Sequence, residues 1–111
     1  MRAVLGRDAS GRLELSVLEV PLQSFLDFSN EIAQTFSLQP KSDFVTDGAE
    51  FASIVFRHDH SKNQVSNIEM AWDHWSGLII TASDSNAEAT VQRIHDWMIA
   101  IRSEQDDCDK Q

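Results

Sequence analysis

The chain has 111 residues, of which 41% are hydrophobic and 24% charged, an ordinary composition for one globular domain. With only 2 Pro and 4 Gly it should contain no linker, and no apolar run approaches the roughly 20 residues that span a bilayer. The formal net charge is −9, and residues 13–56 carry seven acidic residues against Lys41 alone. This charge would repel phosphate groups, which disfavours nucleic acid as a partner.

The expected compartment is the cytoplasm. The N-terminus shows no apolar segment of the kind found in a signal peptide. The single cysteine, Cys108, has no partner for an intrachain disulfide, as expected in a reducing environment.

The first half of the chain predicts two strands followed by a helix. The strands, residues 2–6 and 13–19, flank a turn at residues 7–11, and the second alternates apolar with mainly polar residues. Residues 21–36 then follow helical spacing, with Pro21 in the first turn and an apolar stripe along one side.

A three-strand meander is predicted at residues 51–57, 67–74 and 78–82. Apolar side chains alternate along these strands, so a slip by one residue would expose the whole apolar face. Keeping the apolar faces together places Ile54 opposite Met70 in the first hairpin.

The same rule fixes a register for the second hairpin. It places Trp72 opposite Ile80 and His74 opposite Leu78. Trp75-Ser76-Gly77 is then a three-residue turn with glycine at the left-handed position.

A last helix is predicted at residues 85–102, with Ser85 and Glu88 at capping-box spacing. Residues 104–111 have no apolar period and are predicted to form a disordered acidic tail, so that residues 1–103 make up a single domain. The order strand, strand, helix, three-strand meander, helix indicates an α+β fold. We expect a two-layer sandwich in which both helices cover one face of an antiparallel sheet.

Histidines raise the question of a metal site. His58 and His60 would lie about 6–7 Å apart on one face of a strand, a spacing that can bind zinc. However, the predicted register puts His74 roughly 25 Å away at the other end of the hairpin. We therefore expect no metal and no cofactor, and keep a small metal-dependent enzyme using the His58/His60 loop as an alternative. No motif selects a nucleophile or a phosphate loop, so no catalytic residue is assigned.

Two other features indicate a protein-binding surface. Trp75 occupies the predicted hairpin tip, where it either folds back onto a neighbouring loop or stays exposed as an interface anchor. The first helix contains no Lys or Arg, and Asp27 and Glu31 lie four residues apart on its polar side, with Phe28 beside them. Further acids flank the helix in the sequence: Glu19, Asp43, Asp47 and Glu50.

We interpret this pattern as a non-enzymatic acidic domain that binds a partner protein, in particular a basic one, through Asp27, Glu31, Phe28 and Trp75. One concrete version is an inhibitor or immunity-type protein that neutralises its partner, an analogy of size and charge only. An alternative from a second class of function is a subunit or adaptor domain that self-associates through its sheet. Nucleic acid and membranes are not expected as partners, and the oligomeric state stays open.

The acidic tail generates the first prediction. Truncation after residue 103 should leave the melting temperature within about 2 °C of the full chain, because the removed segment contributes no apolar side chain to a core. Thermal unfolding followed by circular dichroism measures this, and a markedly larger drop would show that the segment stabilises the domain.

Overall fold

The computed structural model describes residues 3–18, 20–47, 50–61 and 64–109, and of residues 59–61, 64 and 102–109 it describes the backbone alone. Strands and helices in this part of the chain follow one another as β1 Ala3–Arg7, β2 Leu13–Val17, α1 Leu22–Phe36, β3 Gln39–Pro40, β4 Val45–Thr46, β5 Phe51–Ser61, β6 Gln64–Asp73, β7 Gly77–Ala82 and α2 Ser85–Asp109.

All the strands belong to one antiparallel sheet, with the order β1-β2-β7-β6-β5-β3 and β4 pairing with β5 further along the same edge. The N-terminal hairpin therefore lies beside β7, the last strand of the meander. The predicted α+β class with an antiparallel sheet is confirmed. The short strand β3 was not predicted. Its two residues are too few to show an alternation of apolar and polar side chains, and Pro40 has no backbone N–H to donate to a neighbouring strand.

The first hairpin of the meander has the predicted register, with Ile54 opposite Met70. It is longer than predicted: β5 and β6 continue across a bulge to Ser61 and Gln64, beyond residues 57 and 67, where the predicted strands end and begin.

The predicted register of the second hairpin is wrong by two residues. Trp72 lies opposite Leu78, and Asp73 opposite Gly77, so that the turn is His74-Trp75-Ser76. A shift by two keeps every apolar side chain on its face, and alternation alone therefore cannot distinguish the two registers. Local hydrogen bonds decide between them: Asp73 Oδ1 accepts from the backbone N–H groups of Trp75 at 2.9 Å and Ser76 at 2.6 Å.

Gly77 is required where this turn ends. Its φ is +71°, and a Cβ there would lie 2.5 Å from the carbonyl oxygen of Val17 and 2.8 Å from that of Leu18. Both the left-handed backbone and the contact with the neighbouring strand exclude a side chain.

The core is formed by one face of the sheet and one side of each helix. Each fully buried Leu, Ile, Val, Phe or Met contributes about 1.5–3 kcal/mol relative to an exposed position. On the sheet, the buried side chains alternate along the central strands: Leu15, Val17, Ala52, Ile54, Phe56, Ile68, Met70, Trp72, Leu78, Ile80 and Ala82. On the helices, the members of the same cluster are Phe25, Ile32, Ala33, Ala87, Val91, Ile94 and Met98. We call the other side of the sheet, whose side chains are exposed or half-buried, the open face.

Trp72 joins the sheet to the start of α1. Its indole Nε1–H donates to the carbonyl of Val20 at 2.7 Å, and the side chain is 7% exposed. Pro21 precedes the helix as its N-cap instead of lying in the first turn as predicted. The end of α1 is closed by Ser37 in the left-handed region and by the N–H of Leu38, which donates to the carbonyl of Ala33.

The start of α2 differs from the predicted capping box. Asp84 Oδ1 accepts from the backbone N–H of Ala87 at 2.9 Å, so Asp84 is the cap. Glu88 instead binds the N-terminal hairpin, accepting from Arg7 Nη1 at 2.7 Å and from the N–H of Leu13 at 3.1 Å. The backbone of α2 continues to Asp109, past residue 102, where the predicted helix ends.

The β1–β2 turn is closed by one carboxylate. Asp8 Oδ1 accepts from the hydroxyl and the N–H of Ser10 and from the N–H of Arg12, at 2.7, 2.9 and 3.0 Å. These bonds, the Ser10 hydroxyl first, lower the pKa of Asp8 because each favours the ionised form.

Replacing Trp72 by Phe tests how much the sheet-to-helix link contributes. The free energy of unfolding should fall by about 2–3 kcal/mol, because the Val20 carbonyl loses its buried donor and the smaller ring leaves a void. Urea denaturation followed by circular dichroism measures the loss. Trp75→Phe is the matched control: Trp75 is 81% exposed, and its substitution should change the stability by less than about 0.5 kcal/mol. Equal losses in the two variants would contradict this account.

Candidate protein-binding surface

Three chain segments meet at one end of the sheet, which we call the tip end. It comprises Leu18 and Val20 before α1, Glu50 and Phe51 at the start of β5, and the turn at residues 73–76. Phe51 lies opposite Asp73, the N–H of His74 donates to the carbonyl of Glu50 at 3.2 Å, and Trp72 holds Val20. α1 therefore begins at the tip end.

Trp75 is the most exposed large apolar side chain among the described residues, at 81%. Its ring contacts that of His74 edge to face, with centroids 5.6 Å apart, and its backbone N–H is held by Asp73. Of the two arrangements predicted for Trp75, folded back or exposed, the structure has the exposed one. A tryptophan whose backbone is fixed by hydrogen bonds and whose ring is exposed to solvent is suited to insert into a pocket on a partner.

Exposed apolar side chains also occur at the tip end and in the chain segments that lead to or from it. Leu18 is 51% exposed, Phe51 41% and Leu26, on the first half of α1, 40%. Phe44 is 39% exposed and stacks on the buried Phe25 of α1, with ring centroids 5.9 Å apart. This contact brings the segment before β4 against the first half of the helix.

Exposed carboxylates occur in the same segments of the chain. Asp27 and Glu31 are exposed on α1, and neither forms an ion pair with a described residue. Asp43 adjoins Phe44, while Asp47 closes the turn before β5 by accepting from the N–H of Phe51 at 3.0 Å. Acidic groups on α1 and in the segment that leads into β5 are thus close in sequence to Leu26, Phe44 and Phe51.

Phe28 occupies a different place from the other predicted binding residues. It is half-buried and packs against the core cluster, so only part of its ring reaches solvent. Glu19, also noted in the sequence, lies outside the described residues.

The sequence pattern marks Leu18, Phe44 and Phe51 as unusual without showing where their side chains lie. Leu18 falls on the polar side of the β2 alternation, where a leucine has no place in the core. The contacts of all three join segments that are distant in sequence, which local periodicity does not reveal.

The histidines are separated, as the sequence predicts. His58 Nδ1 lies 3.1 Å from the hydroxyl of Thr90 on α2, and His74 lies at the tip end. His95 hydrogen-bonds Asp96, and with Gln92 it lowers the pKa of that carboxyl. Across the described residues, no three His, Cys, Asp or Glu side chains are grouped so as to hold a metal ion. The side chain of His60 lies outside the described part.

A buried serine is paired with His58 but is not accessible. Ser66 lies opposite His58 in the sheet and is fully buried. A nucleophile must be reached by its substrate, so this pair is better explained as part of the polar end of the core.

Comparisons with known proteins give no guide to function: no family model matches the chain, and neither the curated proteins nor the solved structures contain a significant match. Neither helix, over its described residues, has the combination of length and apolar character that crossing a bilayer requires.

The contact between His58 and Thr90 predicts a structural role for this histidine. His58→Ala should lower the free energy of unfolding by about 1–2 kcal/mol, because the buried Thr90 hydroxyl loses a partner. Adding zinc or a chelator should leave the melting temperature of the native protein unchanged, as measured by differential scanning fluorimetry. Stoichiometric zinc that is lost in His58→Ala would instead support the metal-dependent alternative.

Proposed function

We propose that this protein is a non-enzymatic binding domain that docks a partner protein through the tip end and the adjoining acidic side of α1. The observation that carries the proposal is the position of Trp75, 81% exposed and held by the Asp73 turn at the end of the sheet where α1 begins.

The surface has the composition of a protein-binding site. Tryptophan is among the residues most enriched in binding hot spots, and it contributes most when a rim of other side chains excludes water around it. Leu18, Leu26, Phe44 and Phe51 supply apolar contacts for such a rim. The carboxylates in the same segments favour a large complementary surface.

The charge indicates a basic partner. Asp27, Glu31, Asp43, Asp47 and Glu50 are all exposed along this side, and Lys41 is the one Lys or Arg between residues 13 and 56. A field of this sign accelerates the encounter with a positively charged protein. One version of this function is an inhibitor or immunity-type protein that neutralises a basic partner in the cytoplasm. Nucleic acid has the wrong charge for this surface.

Charge reversal on α1 tests the electrostatic part. After the partner is captured from the native cytoplasm, Asp27→Lys with Glu31→Lys should slow its association about tenfold at low salt, since the acids act by steering. The loss should shrink as salt screens the field. Surface plasmon resonance at two salt concentrations gives both rates.

Asp96→Lys is the charge-matched control for Asp27→Lys and Glu31→Lys made one at a time. Asp96 is exposed on α2, and its replacement by Lys changes the net charge by the same amount. It should alter the association rate much less than Asp27→Lys. Equal effects would mean that only the total charge matters and that α1 is not the docking side.

Trp75→Ala tests the anchor separately. It should raise the dissociation rate about thirtyfold, the equivalent of about 2 kcal/mol, with little change in association. Trp75→Phe, which retains an aromatic ring, should recover part of the loss. If the dissociation rate of the folded Trp75→Ala protein is unchanged, the tip is only a solvated turn.

A further inference from the structure

The aromatic ring that Trp75 contacts at the tip end belongs to a histidine. The imidazole of His74 and the indole of Trp75 have centroids 5.6 Å apart and planes inclined by 80°. Both side chains are exposed and both backbones are fixed, because the N–H of His74 donates to Glu50 and that of Trp75 to Asp73. The exposed tryptophan therefore lies in direct contact with the kind of side chain whose charge ordinarily changes between about pH 5 and pH 8.

The charged side chains of the described segments around His74 are all acidic. Its own turn contributes Asp73, and the start of β5 contributes Glu50, whose backbone N–H donates to Asp47. Leu18, at the end of β2, carries no charge, and neither residues 42–56 nor residues 63–92 contain a Lys or Arg. When it gains a proton, His74 is thus the one positive side chain in the described part of the tip end.

We propose that His74 makes docking at the tip end dependent on pH, so that the partner binds while His74 is neutral and is released when His74 is protonated. This inference rests on the proposed function, because it concerns the same surface, and it adds the condition under which that surface binds.

Desolvation disfavours the charged imidazole in the complex. A pocket that encloses Trp75 also covers the ring in contact with it, so His74 loses water on binding. Removing a charged group from water is costly unless an opposite charge replaces the water.

Repulsion acts in the same direction. A basic partner brings positive charges to the acids of this surface, and these repel an imidazolium among them. Both effects favour neutral His74 in the complex. Acidification therefore weakens binding, and binding at a pH where the free histidine is charged releases a proton.

The pH range of this effect is separate from that of the carboxylates. Asp and Glu ordinarily titrate near pH 4, so a change from about pH 8 to about pH 5.5 mainly alters the charge of histidines. Repulsion and desolvation at His74 arise on close contact, whereas steering by acids acts at a distance. We therefore expect the loss on acidification mainly in the dissociation rate.

Surface plasmon resonance at these two values of pH tests the proposal with the partner captured from the native cytoplasm. Each variant gives a ratio of its dissociation constants at the lower and the higher pH. The ratio should be about fivefold larger for the native chain than for His74→Gln, the effect of one unit charge about 4 Å from another in water. Titrating groups on the partner contribute equally to both ratios and cancel.

Two further variants serve as controls. His95→Gln removes a half-buried histidine of α2 outside the tip end, and its ratio should equal that of the native chain. His74→Lys keeps a positive charge at both values of pH. It should bind more weakly than His74→Gln at the higher pH and have a similarly small ratio. Circular dichroism at each pH confirms folding.

Nuclear magnetic resonance of the free chain tests the contact without a partner. The indole N–H signal of Trp75 is identified by its loss in Trp75→Phe. Between the two values of pH it should move in step with the ring protons of His74. This movement should be lost in His74→Gln and kept in His95→Gln.

Two outcomes would overturn the proposal: equal ratios for the native chain and folded His74→Gln, or a Trp75 signal that does not follow the protonation of His74. If Trp75→Ala still raises the dissociation rate in either case, the tip end is the docking surface and only the dependence on His74 is wrong. If Trp75→Ala leaves that rate unchanged, the proposed function is wrong and the pH dependence fails with it.

Discussion

The alternation of apolar side chains along β6 is the constraint on which the rest of the structure depends. Ile68, Met70 and Trp72 all point to the buried face, so β6 can pair with each neighbour only in registers that keep this face intact. Trp72 extends the constraint beyond the sheet, because its indole N–H also fixes Val20 and hence the start of α1. The helix that carries the acids and the turn that carries Trp75 are thus positioned by the same central strand.

Much of this architecture could be predicted because the spacing of apolar residues along the sequence shows directly which side chains are buried. The helices, the meander and the pairing of Ile54 with Met70 follow from it. The second hairpin could not be resolved in this way, since a shift by two residues preserves both faces and the choice depends on how Asp73 binds its own turn. The cap of α2 is likewise Asp84 instead of the predicted Ser85, and the sequence does not show that Arg7 and Leu13 approach Glu88 from the N-terminal hairpin.

The candidate surface could likewise be predicted only in part. The exposure of Trp75 was one of two predicted alternatives, since a turn places its side chain outside the alternation. Phe28 appeared from its helical angle to flank the acids, but it packs against the core because a large ring at the margin of the apolar stripe can still reach its neighbours. Leu18 meets the Trp75 turn at Gly77 and Phe51 meets it at Asp73, while Phe44 stacks on Phe25; all three contacts join distant segments. Single-chain patterns identify such residues as misplaced but do not say where they meet.

The close approach of Gly77 to β2 has a consequence for evolution as well as for packing. The Gly77 backbone lies against the carbonyls of Val17 and Leu18, so the turn and the N-terminal hairpin cannot vary independently. Substitutions that alter the path of the chain near Leu18 would have to be accommodated by the Trp75 turn, and the reverse also holds. Trp75 itself makes none of these backbone contacts, so its side chain can change identity without disturbing them. Descendants of this chain would accordingly be free to exchange the residue that meets a partner while the frame presenting it stays unaltered.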